Sequence, residues 1–166
     1  MAPGETQQGE RIAKRIARAG VCSRRDAERL IADGRVELDG KIVTTPATLV
    51  TAAARIVIDG VALPAAEPTR LWRYHKPPGV ICTSRDPEGR PTVFDRLPDD
   101  LPRLILIGRL DFTSEGLLLL TNDGRLARRL ELPASGWLRR YRVRVFGRPD
   151  AESLAGLTVG VTVAVS

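Results

Sequence analysis

Cysteine, histidine and aromatic residues are all scarce in this chain, and each shortage removes a class of function. Only Cys22 and Cys82 occur, far apart and without a CxxC pair, so a disulfide framework is excluded. His75 is the single histidine, and with two distant cysteines it cannot assemble a zinc site of the usual spacing. Metal-dependent chemistry is therefore not expected. Aromatics make up 4% of the residues, too few for a sugar-stacking groove. No apolar run approaches the ~20 residues of a membrane-spanning helix. No charged-then-apolar leader opens the chain, so a cytoplasmic protein without membrane contact is expected. Lysine is also rare: Lys14, Lys41 and Lys76 stand against a combined 26 lysines and arginines.

What is present is arginine and a workable core. The net charge of +6 favours partners rich in phosphate, and the planar arginine fork suits phosphates and base edges. A compositional bias of the gene would produce the same excess. The 43% apolar content of 166 residues suffices for one generous domain or two small ones.

Periodicity divides the chain. Residues 1–9 read as a flexible leader. Arg11, Lys14, Arg15 and Arg18 fall on one face of a helix ending at Gly20, with Ile12 and Ile16 on another. Ser23 with Asp26 marks the start of a second helix, from about Arg24 to Asp33, with Ala27, Leu30 and Ile31 on its apolar side. Alternating segments then surround Asp39-Gly40 and Asp59-Gly60, two tight-hairpin signals. The first module thus spans 10–63, and a proline-bearing linker covers 64–69.

Beyond it lies a second part, residues 70–166. Strands are expected over Leu71–Tyr74 and Val80–Thr83, around the Lys76-Pro77-Pro78-Gly79 turn, and over Leu104–Asp111. Gly116–Leu120 is expected to be a buried apolar run, followed by a helix over Arg125–Leu130. Tyr141, Val143 and Val145 alternate with Arg140, Arg142 and Arg144, as on a strand with one cationic face. The chain from residue 69 on holds 16 Lys and Arg against 11 Asp and Glu, and the first 68 residues hold 10 against 9. Most of the excess charge lies in the second part. The class expected is α+β: two helices and hairpins, then a mainly antiparallel sheet with short helices.

Two segments could carry chemistry. The arginines of the first two helices could lie along a nucleic-acid backbone, adding affinity but little sequence choice, or could form an ordinary solvated face. In Gly108-Arg109-Leu110-Asp111, a strand would place Arg109 and Asp111 on one face, where a carboxylate can act as nucleophile, base or ribose ligand. A surface ion pair is the plainer alternative. Asp111 with Glu115 could form a glycosidase pair, but nothing else supports it. The glycines at 108 and 116 do not make a dinucleotide fingerprint.

The first segment resembles the S4 RNA-binding domain through Ala19-Gly20-Val21-Cys22-Ser23-Arg24-Arg25, Ala27-Glu28-Arg29-Leu30-Ile31 and Gly34-Arg35-Val36. That resemblance implies RNA contacts by Ser23, Arg24, Arg25, Arg29 and Arg35. The second resembles the RsuA-type pseudouridine synthases, the family that includes RluB, RluE and RluF. It rests on Gly108-Arg109-Leu110-Asp111, on Gly116 to Gly124, on Lys76-Pro77 with Gly79 and Cys82-Thr83, and on Tyr141 to Val145. The loop from Asp86 to Leu97 leans toward the RluB branch.

The resemblance implies isomerisation of a specific uridine in RNA, ribosomal RNA or a ribosome assembly intermediate being the expected partner, without metal or redox cofactor. Asp111 would be the nucleophile, attacking either sugar or base. Tyr141 would stack on the extracted base, Arg109 would pair with Asp111 or a phosphate, and Lys76 would bind phosphate or flank the proline turn. The family's later motif has no counterpart here, and the apolar run Val161–Ser166 ends the sequence, so a truncated C-terminus with weak or absent activity is expected. The alternative in another class is an RNA-binding relative without catalysis. A generic α+β protein with compositional charge is the third.

Overall fold

The computed structural model describes residues 9–160 and 162. The chain divides into two compact units, one reaching Gly136 and one beginning at Trp137.

The first unit opens with a two-residue strand β1 (Glu10–Arg11), helix α1 (Ile12–Arg18) and helix α2 (Arg24–Ala32). Ser23 caps α2 by accepting the Asp26 N–H at 3.1 Å, as the Ser-x-x-Asp spacing predicts. Strands β2 (Val36–Leu38), β3 (Lys41–Ile42), β4 (Leu49–Val50), β5 (Ile56–Ile58) and β6 (Val61–Ala62) follow. They form a four-stranded antiparallel sheet in the order β3-β2-β5-β6, while β4 pairs with β1. Asp39-Gly40 and Asp59-Gly60 make the two hairpin turns with left-handed backbones at both residues, the geometry that matches strand twist.

Ile12, Ile16, Ala27, Ile31, Val36, Val50 and Ile56 form one buried core between helices and sheet. Each large aliphatic side chain so buried contributes roughly 1.5–3 kcal/mol.

The remainder of this unit is a three-stranded antiparallel sheet, β7 (Leu71–Lys76), β8 (Ile105–Ile107) and β9 (Gly116–Thr121), ordered β7-β9-β8. Trp72 faces Leu120, Tyr74 faces Leu118 and Lys76 faces Gly116 in register. Leu118 and Leu120 pack with Val80, Val93 and Leu104. Helix α3 (Gly124–Glu131) lies against β8 and β9. Asp123 caps it by accepting the Arg125 N–H at 2.7 Å, and also accepts the Thr69 hydroxyl at 2.7 Å. The second unit contains helix α4 (Ala151–Val159).

Four expectations are corrected. Val80–Thr83 is not a strand; its one ladder contact is a parallel bridge from Ile81 to Thr92. The strand expected over Leu104–Asp111 stops at Ile107, because Gly108 turns to φ +74° and donates its N–H to Glu131 Oε1 at 2.9 Å. Gly116–Leu120 is buried on one face only, with Leu117 66% exposed. No strand forms over 141–145: no described segment pairs with it, and a lone extended segment leaves its backbone groups without a ladder. Val161–Ser166, apart from Thr162, lies outside the described residues, as does the leader up to Gln8.

Candidate RNA-binding and active site

Asp111 stands on the loop between β8 and β9, and that loop is tied to the fold at every second or third residue. Gly108 is held by Glu131. The Leu110 N–H donates to Cys82 Sγ at 3.4 Å. The Asp111 carbonyl closes a turn by accepting the Ser114 N–H at 3.1 Å, and the Phe112 carbonyl accepts the Gly79 N–H at 2.8 Å.

Lys76 is the central tie. It is 0% exposed, and its ammonium donates to the carbonyls of Asp111 at 2.9 Å, Ser114 at 2.8 Å and Pro77 at 3.1 Å. All three donors are thereby used on backbone. The expected role of Lys76 as a phosphate ligand is corrected: the side chain points into the protein and fixes the loop from behind.

On the outer side, Asp111 and Arg109 are exposed and line an open hollow of about 640 Å³. Its other walls include Cys82, Thr83, Arg85, Asp86 and Arg90. The expected ion pair between Arg109 and Asp111 does not form within 4 Å, since both leave the strand that would have aligned them. Asp86 and Arg90 do pair, at 2.9 and 3.1 Å, and the Arg90 N–H adds a third bond to Asp86 at 2.8 Å. These bonds, the guanidinium first, lower the Asp86 pKa from the ordinary carboxylate value, and the same hydrogen bond raises that of Arg90. A carboxylate in an open hollow whose walls include Arg85, Arg90 and Arg109 can be approached by a polyanion.

The helix pair carries the second candidate surface. The Ser23 hydroxyl is committed to the cap and to Asp26 Oδ2 at 2.5 Å. That bond is the leading cause of the lowered Asp26 pKa. Arg24 meets Glu28 at 3.5 Å, and Arg29 meets Asp26 at 3.4 Å. Arg35 holds Asp59 through a fork at 2.9 and 2.6 Å, which ties the β2 end to the second hairpin. Arg25 is exposed and has no ion-pair partner within 4 Å among the described residues. Exposed pairs of this kind are worth little and exchange readily for phosphate.

Tyr141 lies in the second unit, 70% exposed and outside regular structure. Sequence reasoning missed Glu10. Its carboxylate is only 13% exposed and pairs with Arg15 at 3.5 Å, with Arg18, and with Arg125 of α3 at 3.2 Å. Nothing in local spacing signals a carboxylate shared across 115 positions of chain.

A family model described as RNA pseudouridylate synthase matches residues 70–159, and an S4 domain model matches residues 10–56. The chain belongs to the RNA pseudouridylate synthase family. Among similar proteins, one from Rickettsia bellii named uncharacterized RNA pseudouridine synthase is 54% identical over 141 residues, covering 85% of this chain and 61% of its own length. Ribosomal large subunit pseudouridine synthase B from Pasteurella multocida is 48% identical over 93% of this chain and 46% of its own length. The protein of that name from Salmonella typhi is 48% identical, with 92% and 54% covered. This family member thus spans about half the length of the curated relatives it matches. A solved structure described as pseudouridylate synthase aligns at 28% identity and a TM-score of 0.38, over 72% of this chain and 51% of that one. No helix among the described residues is long and apolar enough to cross a membrane.

Proposed function

We propose that this chain serves the isomerisation of a specific uridine to pseudouridine in ribosomal RNA of the large subunit, in the cytoplasm, with Asp111 as the nucleophile. The observation that carries the reading is the setting of Asp111: an exposed carboxylate in an arginine-walled hollow, on a loop locked from behind by buried Lys76. Family membership supplies the reaction class, and the ribosomal substrate follows from the names of the relatives from Pasteurella multocida and Salmonella typhi.

The modules divide the work. Residues 10–63 follow the leader 1–9 and hold the RNA through Arg24, Arg25, Arg29 and Arg35. Past the linker 64–69, the region 70–166 performs the chemistry. The reaction breaks the bond from the ribose to N1 of uracil, turns the base and joins the ribose to C5; C5 loses a proton and N1 gains one, so no atom is gained or lost overall. Asp111 attacks the sugar or the base to release the ring. Extracting the uridine from its stack costs a few kcal/mol, which phosphate contacts and stacking on Tyr141 offset.

Incubating the chain with deproteinised large-subunit ribosomal RNA and mapping pseudouridine tests this, with Asp111→Asn as the comparison. Product at one uridine from the parent and none from the variant is the expected result. RNA binding without product from the parent would favour an RNA-binding protein instead.

A further inference from the structure

Three arginines from two segments, Arg85, Arg90 and Arg109, line the hollow around Asp111, but their charges are not equally available. Arg90 is spent: its fork lies on Asp86, whose side chain is only 4% exposed, and another arm reaches Glu88 at 3.1 Å. The Asp86–Arg90 pair closes a turn and is electrically neutral. Arg85 and Arg109 are exposed, and neither makes an ion pair within 4 Å of a described carboxylate. Arg85 is nevertheless anchored through its backbone. The Thr83 hydroxyl donates to the Arg85 carbonyl at 3.0 Å, and the Arg85 N–H donates back to Thr83 Oγ1 at 3.4 Å.

The hollow therefore presents two uncompensated cations, one on each of the two segments, around one anion. A nucleotide within an RNA strand brings a phosphate on either side. Both phosphates are repelled by Asp111 unless cations meet them as the nucleoside approaches.

We propose that Arg85 grips a phosphate flanking the nucleotide presented to Asp111, beside the phosphate contact that the family resemblance gives Arg109, and that the Asp86–Arg90 pair is the positioning element that holds the Arg85 segment in place. That the nucleotide is a uridine awaiting isomerisation rests on the proposed function above. The phosphate grip itself is measurable without any reaction.

The test uses the full chain carrying Asp111→Asn, with deproteinised large-subunit ribosomal RNA as probe and binding measured between about 50 and about 200 mM salt. Adding Arg85→Ala should weaken binding several-fold at low salt and reduce the slope of log affinity against log salt by about 0.7–0.9, the effect of one lost phosphate contact. Arg85→Lys keeps a charge and should keep the slope; a purely structural role would not be rescued this way. Parent-like slope and affinity in Arg85→Ala would overturn the proposal, as would an Arg85→Lys variant as impaired as the alanine. If binding is untouched while Asp111→Asn abolishes isomerisation, the grip falls and the reaction stands; the opposite pair of results removes the reaction and leaves the grip.

Discussion

Lys76 shows how one buried charge can serve a site without facing it. Its ammonium replaces water with three carbonyl oxygens, two of them on the Asp111 loop, and so converts an exposed turn into a fixed platform. Lys76→Met fills most of the volume but leaves carbonyls without a donor, at an expected cost of about 2–4 kcal/mol. Urea unfolding should show this as a lower midpoint, together with faster amide exchange at Ser114 and Phe112. A variant as stable as the parent but weaker on RNA would return Lys76 to the role of phosphate ligand. The sequence motif singles out Lys76, yet spacing carries no information on which way a side chain at a strand end turns.

Among the elements, α3 is the best example of local chemistry that could be read in advance. Asn122-Asp123-Gly124 announces its start, and Asp123 caps it while also taking the Thr69 hydroxyl. Burial alone would raise the Asp123 pKa, but the hydrogen bonds from Thr69 and the helix N–H groups outweigh it and the net shift is downward. A carboxylate depressed in the folded state adds stability above its unfolded pKa, about 3.9, and that stability is lost as pH falls through the folded value. Asp123→Ala should thus cost about 1 kcal/mol at neutral pH and flatten the acid limb of stability, measured by denaturation at pH values from 7 down to 3. An unchanged acid limb would contradict the assignment.

The same kind of reading placed both helices, both Asp-Gly hairpins and the Ser23 cap, because each depends on neighbours in sequence. It overran at Leu104–Asp111, where a left-handed glycine and a distant Glu131 side chain end the strand. The strands expected at 80–83 and 141–145 do not form, because no described strand pairs with either segment. The hollow itself is legible only as motifs: Asp111 and Arg109 lie in one and Arg90 in another, but no spacing shows that folding brings the Arg85–Arg90 segment beside the Asp111 loop.

For the molecule as a whole, the +6 charge is distributed rather than simply displayed. Glu10 gathers Arg15, Arg18 and Arg125, joining the first helix to α3. Glu10→Gln should lower stability by about 1–3 kcal/mol, read by thermal or chemical unfolding, since it leaves three guanidinium groups crowded at a half-buried junction. Charge reversal at Arg25 should weaken RNA binding more than reversal at Arg29, because Arg29 already faces Asp26, whereas Arg25 has no ion-pair partner within 4 Å among the described residues; both should flatten the salt dependence. Equal, parent-like affinities would exclude the helix face from RNA contact.

The central claim is that the Asp111 carboxylate carries the reaction. Isomerisation at C5 must expel the hydrogen there, so ribosomal RNA bearing tritium at C5 of uridine reports turnover as tritium released to water. Release by the parent chain, falling to background in Asp111→Asn with RNA binding retained, is the predicted result; equal release from both proteins would contradict it.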